Sequence, residues 1–250
     1  MPMLFGGIVG LCSEGNTTIT NCTNEAVISN LHYNRANEKR FNDLQYALNY
    51  TAGIIAGYGF NVGYNANNKH GELTTNGILT ITGCHSTKDI TAKSGSVGGI
   101  AGLVRNATIS NCDFTGTLTS MSTIGGIVGN ATNSTISSCT VRCTTKQSST
   151  SGSNASNVGG IAGYLHSTCV IDNCASFSTI SNQAGRSGGI SGYTSNDSTI
   201  KNCKFGGSVK DVAISSDNYA DYVANVLNGW NADDDTAPTI ENNNSYWDGK

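Results

Sequence analysis

His166 and Cys169 are spaced as HxxC, and Cys84 and His85 are adjacent. Among nine cysteines and four histidines, these are the pairs that could begin a metal site. A structural zinc site needs four convergent ligands. No second half follows either pair at finger spacing, so the sequence predicts no metal. Acidic residues come next, because glycosidic cleavage works with two carboxylates on one face. Asp113, Asp172 and Asp197 occur singly. Asp233, Asp234 and Asp235 cluster ahead of Pro238 and read as a solvated turn, with a calcium site as the alternative. No HExxH or Walker-type phosphate loop is present. The reactive side chains therefore point away from catalysis and from any cofactor.

Composition narrows the partners. Charged residues make up 12% of the 250 residues, about half of the roughly 25% of ordinary domains. The net charge is −3 and there is no basic run, which argues against nucleic acid. No apolar stretch approaches the ~18 residues of a membrane span. The first residues, MPMLFGGIVG, lack the charged and long apolar regions of a signal peptide and enter a repeat at once. That beginning suggests a segment cut from a longer precursor.

Six of the cysteines close one recurring phrase. It reads TITNC at Cys22, TITGC at Cys84, TISNC at Cys112, TISSC at Cys139, VIDNC at Cys174 and TIKNC at Cys203. A second phrase, GGIxG, precedes it from Gly6, Gly98, Gly125, Gly159 and Gly188, with a weaker GIIAG from Gly53. Ile100 to Cys112 and Ile127 to Cys139 each span 12 residues, whereas Ile161 to Cys174 and Ile190 to Cys203 span 13. Six residues beyond the cysteine stands an aliphatic (Ile28, Ile90, Leu118, Ile180 or Val209), except at Thr145. A worn seventh copy runs from Val223 to TIENN, with Asn243 in the cysteine's place.

A fixed period of this kind marks a repeat architecture. Each unit holds three short segments rich in Thr and β-branched residues, bounded by Gly, Asn and Ser, and these read as strands. The expected fold is all-β, a right-handed parallel β-helix (β-solenoid) with three short strands per coil, about seven coils and one short helical insertion. The coils are expected at 5–30, 52–92, 97–120, 124–146, 158–181 and 187–210, with the degenerate one at 222–245. In such a stack one repeat position always meets itself. Cys22, Cys84, Cys112, Cys139, Cys174 and Cys203 are then a buried column of reduced thiols. Asn21, Asn111, Asn173 and Asn202 sit at a bend, where Asn tolerates left-handed backbone and can bond to the next Asn. Cys12, Cys143 and Cys169 fall off the pattern; Cys139 with Cys143, and Cys169 with Cys174, are the pairs near enough in sequence for local disulfides.

Insertions are where a regular scaffold carries its variety. Residues 31–50 include Phe41, Leu44 and Leu48 at helical spacing, which predicts a short amphipathic helix from about Glu38 to Leu48, lying against the rod. Residues 58–78 set Tyr58, Phe60, Tyr64 and His70 among Gly and Asn in a loop. Aromatic faces beside amides suit a sugar or peptide ligand, and packing of the loop onto the helix is the alternative. Trp230, Tyr246 and Trp247 are expected in a C-terminal cap over an otherwise open solenoid end.

GGIxG, TIxNC and the final aliphatic together resemble the GLUG repeats of bacterial surface proteins, from Gly6 to about Val209. The resemblance implies a secreted or cell-surface β-helical segment, often part of a longer adhesin-like protein, without catalytic residues in the repeat. His70–Gly71 is similar to a dipeptide of pectin-cleaving β-helices, but their Asn–Thr–Asp and Arg–Ile–Lys companions are absent. The expected function is thus a non-enzymatic extracellular module that binds a glycan or a host or matrix protein. The alternative is a structural spacer that stacks on itself through the solenoid ends. A polysaccharide-degrading enzyme stands behind both.

Overall fold

The computed structural model describes residues 5–9, 16–30, 52–53, 56–59, 77–92, 96–147, 157–181, 185–194, 197–226, 238–241 and 243–250. The expected helix within 31–50, Cys12, Trp230, the acidic cluster at 233–235 and most of the aromatic segment lie outside these residues.

One coil shows the plan. Its strands are Val97–Gly98, Ala101–Arg105, Ala107–Ser110 and Asp113–Ser120. Each pairs in parallel with its counterpart one repeat on, as in Ile109 with Ile136 and Leu118 with Thr145. Four stacked sheets result. The first runs from Phe5–Gly6 to Arg186–Gly188, and the second from Ala56–Gly59 to Ala224–Val226. The third runs through seven strands from Thr17–Thr20 to Thr239–Ile240. The fourth contains Asp113–Ser120, Thr140–Gln147, Ala175–Ser181 and Lys204–Val209. The seven-stranded third sheet matches the seven coils expected from the repeat.

Four strands per coil, where three were expected, follow from the glycine pair. GGIxG looks like one segment, but the chain bends within it, at Gly99–Ile100. A β-carbon on Gly99 would collide with the Gly126 carbonyl of the next coil and with the Phe114 ring across the interior; one on Gly126 would meet Gly160 and Val141 in the same way. The pair thus permits a corner tight enough to split the phrase into a first-sheet and a second-sheet strand. Tyr58 is affected too: it belongs to the strand Ala56–Gly59, in register with Leu103, so the expected loop cannot begin at Tyr58.

Inside, the aliphatics form columns. Ile81, Ile109, Ile136, Ile171 and Ile200 are fully buried, as are Ile100, Ile127, Ile161 and Ile190 at the glycine corner. Thr145 breaks its aliphatic column yet is fully buried, and its hydroxyl donates to the Thr179 carbonyl at 3.4 Å. A polar side chain there is tolerated because its hydrogen-bonding demand is met.

Two corners use left-handed backbone. Asn21, Asn111, Asn173 and Asn202 have φ of 52–53°, and Gly83 (65°) and Ser138 (53°) fill the same position in their coils. A second such corner, between the second and third sheets, holds Asn106, Asn133, Ser167 and Asp197 at 48–62°. Asn and Asp visit this region at lower cost than other L-residues.

The last coil differs. Thr239 pairs with Thr199, but Ser245 pairs with Lys204, so one residue has been gained between them. Asn244, not Asn243, therefore takes the cysteine's place. Its Oδ1 accepts from the Cys203 amide at 2.8 Å, and its Nδ2 donates to the Glu241 carbonyl at 2.7 Å. Beside it, Val209 and Val212 close a tight antiparallel hairpin whose turn residues, Lys210 and Asp211, have φ of 50° and 66°. The mirror-image turn is the one whose twist suits a hairpin.

Candidate functional site

Five of the six repeat cysteines are buried in the interior. Cys84, Cys112, Cys139, Cys174 and Cys203 point inward, and each thiol lies 3.1–3.4 Å from the carbonyl two residues back. The carbonyl of an isoleucine one coil earlier lies beyond, at 3.7–4.0 Å. Cys22, in the first coil, is half-buried. All eight described cysteines are free thiols, including both candidate local pairs. Burial pushes the Cys84 and Cys169 thiols up, and Cys143 up to about 11. Contact with the Cys139 thiol and burial together hold Cys112 well above its ordinary value. Held protonated, these four thiols are poor nucleophiles and poor metal ligands.

Neither Cys–His pair converges on a metal geometry. The Cys169 thiol donates to the backbone carbonyl of His166 at 3.4 Å, while the His166 ring meets the Ser167 hydroxyl at 2.8 Å. Cys84 is buried, whereas His85 faces outward onto the Asp113 carboxylate. Among the described residues no group of three or more His, Cys, Asp or Glu is gathered for a metal ion.

The asparagines form a mixed ladder. Asn243 donates to Asn202, Asn202 donates to Asp172 at 2.7 Å, and Asn173 donates to the Ser138 hydroxyl at 3.2 Å. Asn bonds to Asn only in the Asn243–Asn202 step among these three, while Asp172 and Ser138 are the acceptors in the other two.

The outer face of the second sheet concentrates aromatic rings. Along a strand, side chains alternate between faces, and parallel stacking aligns each outward position with its copies. One outward column therefore runs Leu103, Asn130, Tyr164, Tyr193, and the backbone of Tyr58 is in register with Leu103 at its end. The rings of Tyr164 and Tyr193 meet edge-on at 4.7 Å, and His166 approaches Tyr164 at 5.8 Å. The Arg186 guanidinium lies 4.7 Å from the centre of the Tyr193 ring. Burial and the neighbouring Tyr193 hold the Tyr164 hydroxyl above its usual pKa, partly offset by Arg186. Tyr193 is itself buried against Tyr164 and Arg186, so the half-buried Tyr164 ring is the open part of this aromatic shelf, with a guanidinium and an imidazole at its margins. Of the sequence-predicted binding residues, the backbone of Tyr58 lies in this column, while Phe60, Tyr64 and His70 fall outside the described residues. Tyr164 and Tyr193 carried a signal that was missed: each directly follows a GGIxG motif, as GIAGY and GISGY, which the coil repeat converts into one column.

A second surface lies on the fourth sheet. Asn111, Asp113, Thr115, Ser138, Thr140 and Arg142 line a shallow groove of about 370 Å³. Beside it Arg142 stacks on Trp247, whose ring also meets Phe177 edge-on at 6.1 Å. Tyr246 continues the inward Phe205 position, so Trp247 falls on the outer side.

No curated protein matches the chain. Residues 93–119 match the family model described as the GLUG motif. That stretch covers the glycine corner, the TISNC phrase and most of the fourth-sheet strand of one coil, so the chain contains a matched GLUG motif within a stack of coils in the same register.

Proposed function

We propose that this solenoid is a non-enzymatic binding module of the extracellular or cell-surface type, which holds a glycan or a matrix-type protein on the outer face of its second sheet. The observation that carries the reading is the shelf of Tyr164, Tyr193 and Arg186 on a hydrogen-bonded parallel sheet. Aromatic rings give a ligand an apolar platform, and polar groups at the margin fix its orientation. Because the backbone is already ordered by its ladder, binding orders few groups. The deciding experiment is a glycan and matrix-protein array probed with the folded chain. Binding that is lost in Tyr164→Ala and Tyr193→Ala supports the reading. Blank arrays from folded protein remove it.

A spacer or self-stacking module is the second reading. Its support is that Thr17–Thr20 is a terminal strand of its sheet among the described residues, and Val27, later in the same coil, is 66% exposed. A strand edge of this kind invites pairing with another chain. Sedimentation velocity over a wide concentration range distinguishes the two readings, since self-stacking rods grow with concentration.

A further inference from the structure

The outer face of the third sheet carries a feature that the binding shelf does not use. In its first four coils the strand centres read TIT, TIT, TIS and TIS, and the isoleucines (Ile19, Ile81, Ile109 and Ile136) are buried. The flanking residues therefore face outward. The register sets Thr18, Thr80, Thr108 and Thr135 in one row, and Thr20, Thr82, Ser110 and Ser137 in a second. Thr18, Thr20 and Thr108 are exposed and the others half-buried.

The array has fixed spacings in both directions. Coils repeat at ~4.8 Å, and residues two apart on a strand lie about 6.7 Å apart. Within the second row the Thr82 and Ser110 hydroxyls bond to each other at 3.0 Å. In the first row none of the four hydroxyls bonds to another described side chain, which leaves each able to donate and accept. Beyond the fourth coil the pattern ends: Val170 enters the first row, and Asp172 and Lys201, paired at 3.9 Å, enter the second. The patch is thus uncharged and bounded by charge.

We infer that this patch binds the surface of an ice crystal. Its two repeats are close to those of water molecules on the prism face of ordinary ice. Hydroxyls match water because they donate and accept equally, whereas an ammonium or carboxylate organises water around its own charge. The threonine methyls add apolar contact between the hydroxyls. A crystalline polysaccharide presents repeating hydroxyls too. It is the less favoured occupant because the outward positions of these four strands hold no aromatic ring on which a sugar could stack. The rigid ladder keeps the rows aligned before contact, which lowers the ordering cost.

The test is nanolitre osmometry on the full chain, with albumin as the inert control. The expected result is faceted crystals and a gap between melting and growth temperatures. Thr80→Lys and Thr108→Lys should abolish both, and Thr108→Val, which keeps shape and removes one hydroxyl, should weaken them. Thr144→Lys, on the outer face of the fourth sheet, should change neither. Circular dichroism checks each fold, and Thr108→Val decides the matter if the lysine variants misfold. Unshaped growth like that in albumin overturns the inference, as does activity unchanged in the folded Thr80, Thr108 variants. Retention on microcrystalline cellulose or chitin, lost in those variants and without effect on ice, overturns it in favour of the polysaccharide. The array experiment addresses a different face, so either idea can fail alone.

Discussion

The guanidinium of Arg142 lies 4.7 Å from the centre of the Trp247 indole, and its Nη2 donates to the Gly249 carbonyl at 3.0 Å. The two residues belong to different coils, and the gap between them is bridged by Phe177 and left open by Gly206, where a β-carbon would collide with the Trp247 carbonyl. A cation over an aromatic ring at an exposed site is worth about 0.5–1 kcal/mol. This clasp ties the chain's last residues to the fourth sheet.

Arg142→Ala is therefore expected to loosen residues 247–250 while leaving the coils intact. Amide hydrogen exchange should accelerate at the C-terminus and stay unchanged within Ala107–Ser110. Global stability should fall by no more than about 1 kcal/mol, since the interaction is exposed and lies at one end. Uniform acceleration throughout the chain would show that the clasp holds more than the tail.

Gly126→Ala should be far more costly. The added carbon meets the Gly160 carbonyl on one side and Val141 on the other, and neither can retreat without breaking the ladder between coils. Overpacking of this kind costs about 3 kcal/mol. Urea denaturation of this variant beside Gly249→Ala, where φ is 90° and the added carbon meets only the Phe177 ring, separates a clash with the backbone of the next coil from local strain in the tail. Equal midpoints would refute the corner argument.

The repeat made the coil number and the inward columns legible, because each inward position is sampled several times in one chain. Four features were hidden. The split of GGIxG into two strands depends on contacts across the interior, as between Gly99 and Phe114, which no local pattern reports. The second left-handed corner was masked because Asn106, Asn133, Ser167 and Asp197 look like unrelated loop residues until the coils are stacked. Asn244 was missed by one position because the last coil gains a residue. Arg142 and Trp247 meet only through the stack, so neither signals the other in sequence.

Asn111 tests the left-handed corner directly. Its φ is 52°, and its amide precedes the buried Cys112. Replacement by Ala keeps the β-carbon and loses the tolerance of Asn for left-handed backbone, so it should cost about 1–2 kcal/mol. Asn111→Gly removes the steric objection and should cost a few tenths of that. Thermal melts of both variants give the ordering. Ala at or above Gly in stability would mean that the corner is relaxed.

Cys143 gives a prediction for pH. Burial pushes its thiol up to about 11, with the Ser178 hydroxyl at 3.5 Å opposing in part, whereas an unfolded cysteine ionises near pH 8.5. The folded state therefore keeps the proton over a window in which the unfolded state loses it. Stability from this site is complete below about pH 8.5 and falls as pH rises toward 11, by up to about 1.4 kcal/mol per pH unit. Cys143→Ser retains a small hydroxyl beside Ser178 and does not titrate in this range. Urea midpoints of the wild type should fall faster than those of Cys143→Ser between about pH 9 and 10.5. Lysines and tyrosines titrate alike in both proteins and cancel in the difference. Parallel curves would mean that Cys143 ionises as readily in the fold as outside it, and that the fourth sheet admits water to its interior at this position.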